Sequence, residues 1–327
     1  MKRFSGNNSF FRIVEVLFMT ESNRHLFDSL AASFVRQYID ILSKIDGVGH
    51  RTYGIEYEFL PARIMDLDDM TRMYRFLASM GMRADGLDFV SSNGIHIAFE
   101  PGGQIEYNSP PLKAIDAGGI DDFLSFIAQT NALIRNQLHI VYEARGFAPG
   151  RAHAPLCLIS PRYRLLHDRL KRTGTRGLEM MKGTASIHLH VRIAGISELL
   201  RLFYRLCEMA TSVDFRMSPQ RREIWDNTDP MRCGLPPCCN ERLNSAEQLI
   251  DRLIRFALAA EVLGENVPFH LNRDRSFDAF LYHMTTLFTD VRFNLKGPTL
   301  ELRTLDSIPI DQFREKWQIF VSSFEDL

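Results

Sequence analysis

The chain has 327 residues, 45% of them hydrophobic and 24% charged, with a net charge of −1 and a pI near 6.8. This is the make-up of an ordinary globular protein, and it excludes a disordered chain, a coiled coil and a protein that gathers nucleic acid or anionic membrane through its overall charge. Any anion must be held by a local cluster.

The N-terminal stretch MKRFSGNNSFFRIVEVLFMTESNRH is interrupted by Arg12 and Glu15, so it is read as neither a signal peptide nor a membrane helix. Apolar spacing then predicts a helix over 23–45, a strand over 52–60 and a helix over 67–80 opened by Asp66, Asp68 and Asp69. Strands over 95–100 and 103–108 meet at a turn at Gly102 and Gly103, and a helix over 120–143 follows. A Pro- and Gly-rich connection from Gly146 to Pro161 leads to a helix over 162–171, a strand over 184–193 and a helix over 197–215. The loop Arg232–Asn240 precedes helices over 245–263, capped by Ser245, and 276–288. Strands over 290–295 and 298–304 and a helix over 311–323 complete the chain.

Strands come in clumps with helical insertions between them, not as regular βαβ units. The expected fold is α+β, one domain with a mostly antiparallel sheet and helices packed on its outer face. Five cysteines, an odd number without paired CxxC spacing, suggest reduced thiols in a cytoplasm and no zinc site at Cys233, Cys238 and Cys239. Met65, Met70, Met73, Met80 and Met82 read as core, His283 as a helix-packing residue and Trp225 as packed under its loop.

Four strand segments carry charged groups at i, i+2 spacing, and in a strand such groups share one face. They are Glu56 and Glu58; Gln104, Glu106 and Asn108; His188, His190 and Arg192; and Glu301 and Arg303. The other face is apolar, as in Ile187, Leu189, Val191 and Ile193. Taken singly, each pair also fits a solvated strand face or a cross-strand ion pair. Gathered on one surface, Glu56, Glu58, Glu100, Glu106 and Glu301 with His188 would call for cations, and oxygen ligands with one imidazole suit Mg²⁺ or Mn²⁺. Arg222, Arg232 and Arg303 would meet phosphate or carboxylate groups. Metals beside arginines are the equipment of phosphoryl transfer. There is no P-loop, GxGxxG, HExxH or GxSxG motif.

The motifs GIEYEF, FEPGGQIEYNSPP, SPRYRLLHDRL, GLEMMKGTASIHLHV, RREIWDNTDPMRCG, FDAFLYHMTTLFTDVR and TLELRTLD run in one order across about residues 50–310. In that order they resemble the plant and proteobacterial type of glutamate–cysteine ligase and its carboxylate–amine ligase relatives. The resemblance implies a catalytic domain like that of glutamine synthetase, a curved antiparallel sheet, here over 51–327 behind an N-terminal helical segment over 1–50. It further implies ATP and Mg²⁺, or Mn²⁺ in its place, and two small substrates, an amino-acid carboxylate and an amine, with glutamate and cysteine expected. No nucleic-acid or membrane partner is expected, and no oligomeric state follows.

By position, Glu56, Glu58, Glu100, Glu106, His188 and Glu301 match metal-side residues. His190 matches the neighbour facing phosphate or substrate, Arg303 the arginine at the transferred phosphoryl group, and Arg222 and Arg232 arginines of phosphate contact. One family arginine is replaced by Gly183. The rival readings are a phosphotransferase on the same scaffold and a ligase-like regulatory protein without turnover.

Overall fold

In the computed structural model, which describes residues 20–45, 51–294 and 297–325, helix α1 (Glu21–Ser43) comes first, its Thr20 cap accepting from the Asn23 amide. The reading of residues 1–19 lies outside the described residues. The strands that follow are β1 (Thr52–Pro61), β2 (Arg83–Asp85), β3 (Asp88–Val90), β4 (His96–Phe99), β5 (Ile105–Asn108), β6 (Leu112–Lys113), β7 (Tyr142–Glu143), β8 (Ser186–Arg192), β9 (Cys233–Gly234), β10 (Phe288–Thr289), β11 (Val291–Asn294) and β12 (Thr299–Asp306). The intervening helices are α2 (Leu67–Ser79), α3 (Ala117–Leu138), α4 (Pro161–Arg172), α5 (Gly177–Gly183), α6 (Ile196–Thr211), α7 (Pro219–Asp226), α8 (Ala246–Ala259), α9 (Phe277–Met284) and α10 (Ile310–Glu325).

Ten of the strands form one sheet in the order β11-β12-β8-β1-β5-β4-β3-β2, with β6 and β7 also paired to β1. Every pairing in it is antiparallel. The fold is α+β, as expected. The parallel pair β9 and β10 stands apart.

Period-two alternation sets the two faces. Tyr53, Ile55, Tyr57, Leu189, Val191, Leu300 and Leu302 point into the main core, where each large apolar side chain contributes roughly 1.5–3 kcal/mol on burial. From α10, Trp317 meets Tyr53 at 6.0 Å and Phe313 meets Tyr57 at 5.1 Å between ring centroids. A one-residue slip would turn this whole set outward, so the register is strongly specified.

The short elements are the ones that sequence periodicity does not show. Strands β2, β3, β6 and β7 have two or three residues each, and helices α5 and α7 have seven and eight. None is long enough to display a period. The helix expected to reach residue 143 stops at Leu138, where His139 turns left-handed with φ of 57° and caps Arg135.

Met65, Met70, Met73 and Met82 are buried as expected. The expectation of reduced thiols is corrected at one pair. Cys207 on α6 and Cys239 are disulfide-bonded, their Cα atoms 5.8 Å apart, while Cys157, Cys233 and Cys238 are free and buried. Tertiary packing brings those two together across a sequence separation of 32. Among the described residues, no helix is long and apolar enough to cross a membrane.

Candidate active site

Strand register assembles the polar face. Glu56 on β1 stands opposite His188 on β8 and Asn108 on β5, and Glu58 stands opposite Glu106. On the other side of β8, His190 is opposite Glu301 of β12, which in turn faces Arg292 of β11. Gly54 lies across from His190, and a Cβ there would come within 3.3 Å of the His190 Cβ. The missing side chain leaves the imidazole room to lie over β1.

The Gly102–Gly103 turn brings Glu100 beside Glu106. Gly103 has φ of +83°, and a Cβ on Gly102 would overlap the Lys182 carbonyl oxygen. Buried Gln104 locks the turn, accepting from the Gly102 amide at 2.8 Å and donating to the Thr184 carbonyl at 3.0 Å. On β12 the pairing shifts by one residue between Leu302 and Leu305. Such a bulge re-aims side chains, and here it carries Arg303.

One cavity collects these groups. Its walls include Glu56, Glu58, Glu100, Glu106, His188 and Arg303, with Leu166, Leu170, Met180, Met181, Trp225 and Phe288 on an apolar side. Trp225 is packed under its loop, its Nε1 donating to the Phe288 carbonyl at 3.2 Å, and one edge also reaches this cavity.

Two triads of ligand atoms lie within 4.8 Å of one another and share Glu56: Glu56, Glu106 and His188, and Glu56, His190 and Glu301. Their electrostatics differ. Burial and the Arg303 charge push His188 down, which favours the neutral imidazole, the form that can donate a lone pair. Burial also disfavours charge on His190, but Glu56 and Glu301 outweigh it and raise that pKa. Oε2 of Glu301 takes Arg292 at 2.7 Å and Arg303 at 3.0 Å, and Oε1 has no hydrogen-bond partner among the described residues. Burial opposes ionisation of Glu301, yet Arg292 and His190 hold its carboxyl down at about 2. The second triad therefore already carries its own counter-charges.

In the first triad Glu56 keeps such a partner in His190, but Glu106 has no ion pair among the described residues. Burial, then the charge of Glu58, pushes the Glu100 carboxyl up to about 8. Burial and Glu56 raise Glu106 well above the ordinary carboxyl range. Burial works against Glu56 as well, but His190 and His188 hold its carboxyl well below that range. Acids that repel one another around a neutral imidazole form the donor set of a hard divalent cation. Glu56, Glu106 and His188 fit Mg²⁺ or Mn²⁺, with Glu100 on the same wall. Glu58 is engaged elsewhere: its Oε2 accepts from the Ser186 amide at 2.7 Å and the Ser186 hydroxyl at 3.1 Å.

Two expected site residues lie elsewhere. Arg232 is fully buried, donating to the Thr286 carbonyl and hydroxyl at 3.1 and 2.7 Å and pairing with Asp229 at 3.2 Å. Arg222 pairs with buried Asp290 at 2.7 Å. Neither lines the cavity, so phosphate contact by these two is replaced by structural ion pairing. His190, expected toward phosphate, groups with Glu56 and Glu301. The cavity arginines that sequence reasoning missed are Arg162 on α4 and Arg292 on β11. Arg162 donates to the Thr285 carbonyl at 3.2 Å and has no carboxylate partner among the described residues, leaving donors free for an anion. Its place directly after Pro161, at the start of a helix beside a strand-face acid cluster, was the available signal.

The Gly183 position also has a physical account. A Cβ there would lie 3.0 Å from both the Ala148 carbonyl oxygen and the Arg151 Cβ. Arg151, buried and bonded to the Pro61 carbonyl at 2.7 Å, occupies the space a side chain would need.

Comparison with known proteins bears out the resemblance in the motifs. Residues 52–212 match the family described as glutamate-cysteine ligase family 2 (GCS2). The chain is similar to the chloroplastic glutamate–cysteine ligase of Arabidopsis thaliana, 24% identical over 300 residues that cover 80% of this chain and 56% of that protein. The Solanum lycopersicum enzyme is 25% identical over 224 residues, covering 63% and 42%, and the Brassica juncea enzyme 23% over 300 residues, covering 80% and 57%. The chain thus spans about half the length of the curated relatives it matches.

Proposed function

From this similarity and the geometry of the cavity, we propose that the chain is an ATP- and Mg²⁺-dependent carboxylate–amine ligase, with glutamate and cysteine as substrates. One observation carries the reading: Glu56, Glu58, Glu100, Glu106 and His188 converge with Arg162 and Arg303 on a single cavity. Acids that cannot all ionise alone, facing arginines with spare donors, suit a metal-bound polyphosphate beside a carboxylate.

A carboxylate is a poor acyl donor because it would have to expel oxide. Its oxygen therefore attacks the γ-phosphorus of ATP; that P–O bond forms as the bond to ADP breaks, giving an acyl phosphate. The amine nitrogen then bonds to the acyl carbon, the C–O bond to phosphate breaks, and the amine proton leaves to solvent. Arg303, steadied by Glu301, supplies positive charge where the phosphoryl oxygens gather it. Arg162 offers its free N–H groups to the same anions or to the substrate carboxylate. Glu56, Glu106 and His188 would hold a divalent ion, which would supply Lewis-acid neutralisation of the phosphate charge. The apolar side built by Leu166, Met180, Met181 and Phe288 excludes water that would hydrolyse the acyl phosphate.

A phosphate-release screen of glutamate, aspartate and related acids against cysteine, other amino acids and simple amines, with product masses recorded, tests this. Free phosphate together with an amide product is expected. Phosphate retained on an acceptor would establish the phosphotransferase instead, and Mg-ATP binding without any turnover would establish a regulatory protein.

A further inference from the structure

A second cavity of about 370 Å³ adjoins the first and shares Tyr163 with it. Its walls are Tyr74 from α2, Phe99 from β4, Leu158, Tyr163, and the tight hairpin Asp85, Gly86, Leu87 and Asp88 that joins β2 to β3. The aromatic rings are packed against one another, Tyr74 lying 5.4 Å from Phe99 and 5.5 Å from Phe89 between centroids. Aromatic faces beside a carboxylate make a receptor for an organic cation.

Asp88 supplies that carboxylate. It is half-buried, and among the described residues its side chain has no hydrogen bond and no ion pair. Burial pushes its carboxyl up, which a bound cation would reverse. Its charge acts on the hydroxyls of both Tyr74 and Tyr163, and Tyr163 also feels Glu100 of the metal cavity. Strand register puts Asp88 on the metal-bearing face. Val90 pairs with His96, His96 with Asn108, and Asn108 with Glu56, so Asp88, two residues from Val90, points the same way. Only two strand spacings, roughly 10 Å, separate the β3 and β5 backbones. That gap is within reach of one amino acid once side chains project from both sides.

We infer that this cavity is an ammonium-binding subsite, in which Asp88 with Tyr74 and Tyr163 holds the α-ammonium of the amino acid whose distal carboxylate is activated in the metal cavity. An ammonium beside a carboxylate is kept charged and cannot attack, so the group held here is not the nucleophile. The subsite recognises the acid substrate as an amino acid. The inference rests on the ligase reading for the identity of the reacting end.

Glutamate and glutarate differ only in the α-ammonium, and they separate recognition from folding. In wild-type protein glutamate is expected to exceed glutarate in kcat/KM for phosphate release. Asp88→Asn should cut the glutamate value about tenfold or more, the scale of one charged hydrogen bond, and should not lower the glutarate value, whose remaining carboxylate gains nothing from the Asp88 charge. Equal losses for both acids, or an unchanged glutamate value, would overturn the subsite while leaving the ligase reading intact. Should neither acid support phosphate release with any amine, calorimetry decides: glutamate binding stronger than glutarate binding in wild type only would keep the subsite without the ligase. Equal binding of both acids would remove it.

Discussion

The guanidinium of Arg221 props the backbone that carries Arg303. Its Nη2 donates to the Arg303 carbonyl at 3.0 Å, and its Nη1 donates to the Thr304 carbonyl at 3.1 Å and to Asp306 at 3.0 Å. The bulge on β12 leaves these carbonyls without a regular ladder partner, and a fully buried arginine stacked 4.8 Å from Trp225 supplies the donors. The placement of Arg303 in the cavity thus depends on a residue outside it. Arg221→Met should lower unfolding free energy by about 3 kcal/mol or more, since it strands two carbonyls and the Asp306 carboxylate. Denaturant titration measures it, and a change below about 1 kcal/mol would show that the bulge holds without this support.

Arg303 and Arg222 should separate cleanly. Arg303→Ala is expected to reduce kcat about a hundredfold or more, the usual scale for removing an oxyanion-stabilising donor. Arg222→Ala should leave kcat of the folded protein near wild type and cost about 1–3 kcal/mol of stability, because buried Asp290 loses its partner. The reverse pattern, activity lost at Arg222 and kept at Arg303, would contradict this assignment of the two arginines.

The acid cluster predicts how stability responds to pH. Glu100 and Glu106 have folded pKa values above their unfolded ones, so the folded state holds their protons longer. Stability present below about pH 4.5 is lost as pH rises through about 8, where Glu100 titrates. His190, raised by Glu56 and Glu301 against the effect of burial, acts in the same direction, and His188, lowered by burial and Arg303, acts in the opposite one. The melting temperature of metal-free protein should fall between about pH 5.5 and 8.5. Added Mg²⁺ should restore more of it at the alkaline end, and Glu106→Gln should flatten the profile. A level profile in the metal-free protein would mean the carboxylates do not repel one another as their positions require.

The Cys207–Cys239 bridge closes a loop of 32 residues between α6 and the turn before α8. A loop of that length is stabilised by about 2–4 kcal/mol on the chain-entropy account. Reductant, or Cys239→Ser, should lower the melting temperature, and Cys238→Ser should not reproduce the effect of reductant, because Cys238 is free. Equal melting with and without reductant would show that the bridge contributes nothing.

Much of the site is legible in the sequence because a strand repeats every two residues. Glu56 and Glu58, His188 and His190, and Glu301 and Arg303 had to share faces, and the apolar residues between them had to turn toward the helices. The motif order supplied the family resemblance, and the glycines at 102 and 103 marked the turn that brings Glu100 to Glu106. What sequence could not rank was the arginines. Arg221, Arg222, Arg232, Arg162 and Arg292 are alike in type, yet one props a bulge, two form buried pairs and two reach the cavity.

Alternation along a strand is local geometry, set by the backbone of neighbouring residues, so sequence alone determined which groups would share the polar face. Which strands lie side by side, whose guanidinium enters the cavity, and which cysteines meet are questions of packing between segments far apart in the chain. Only the tertiary structure decided them, because a long flexible side chain takes the direction that its surrounding partners and space allow.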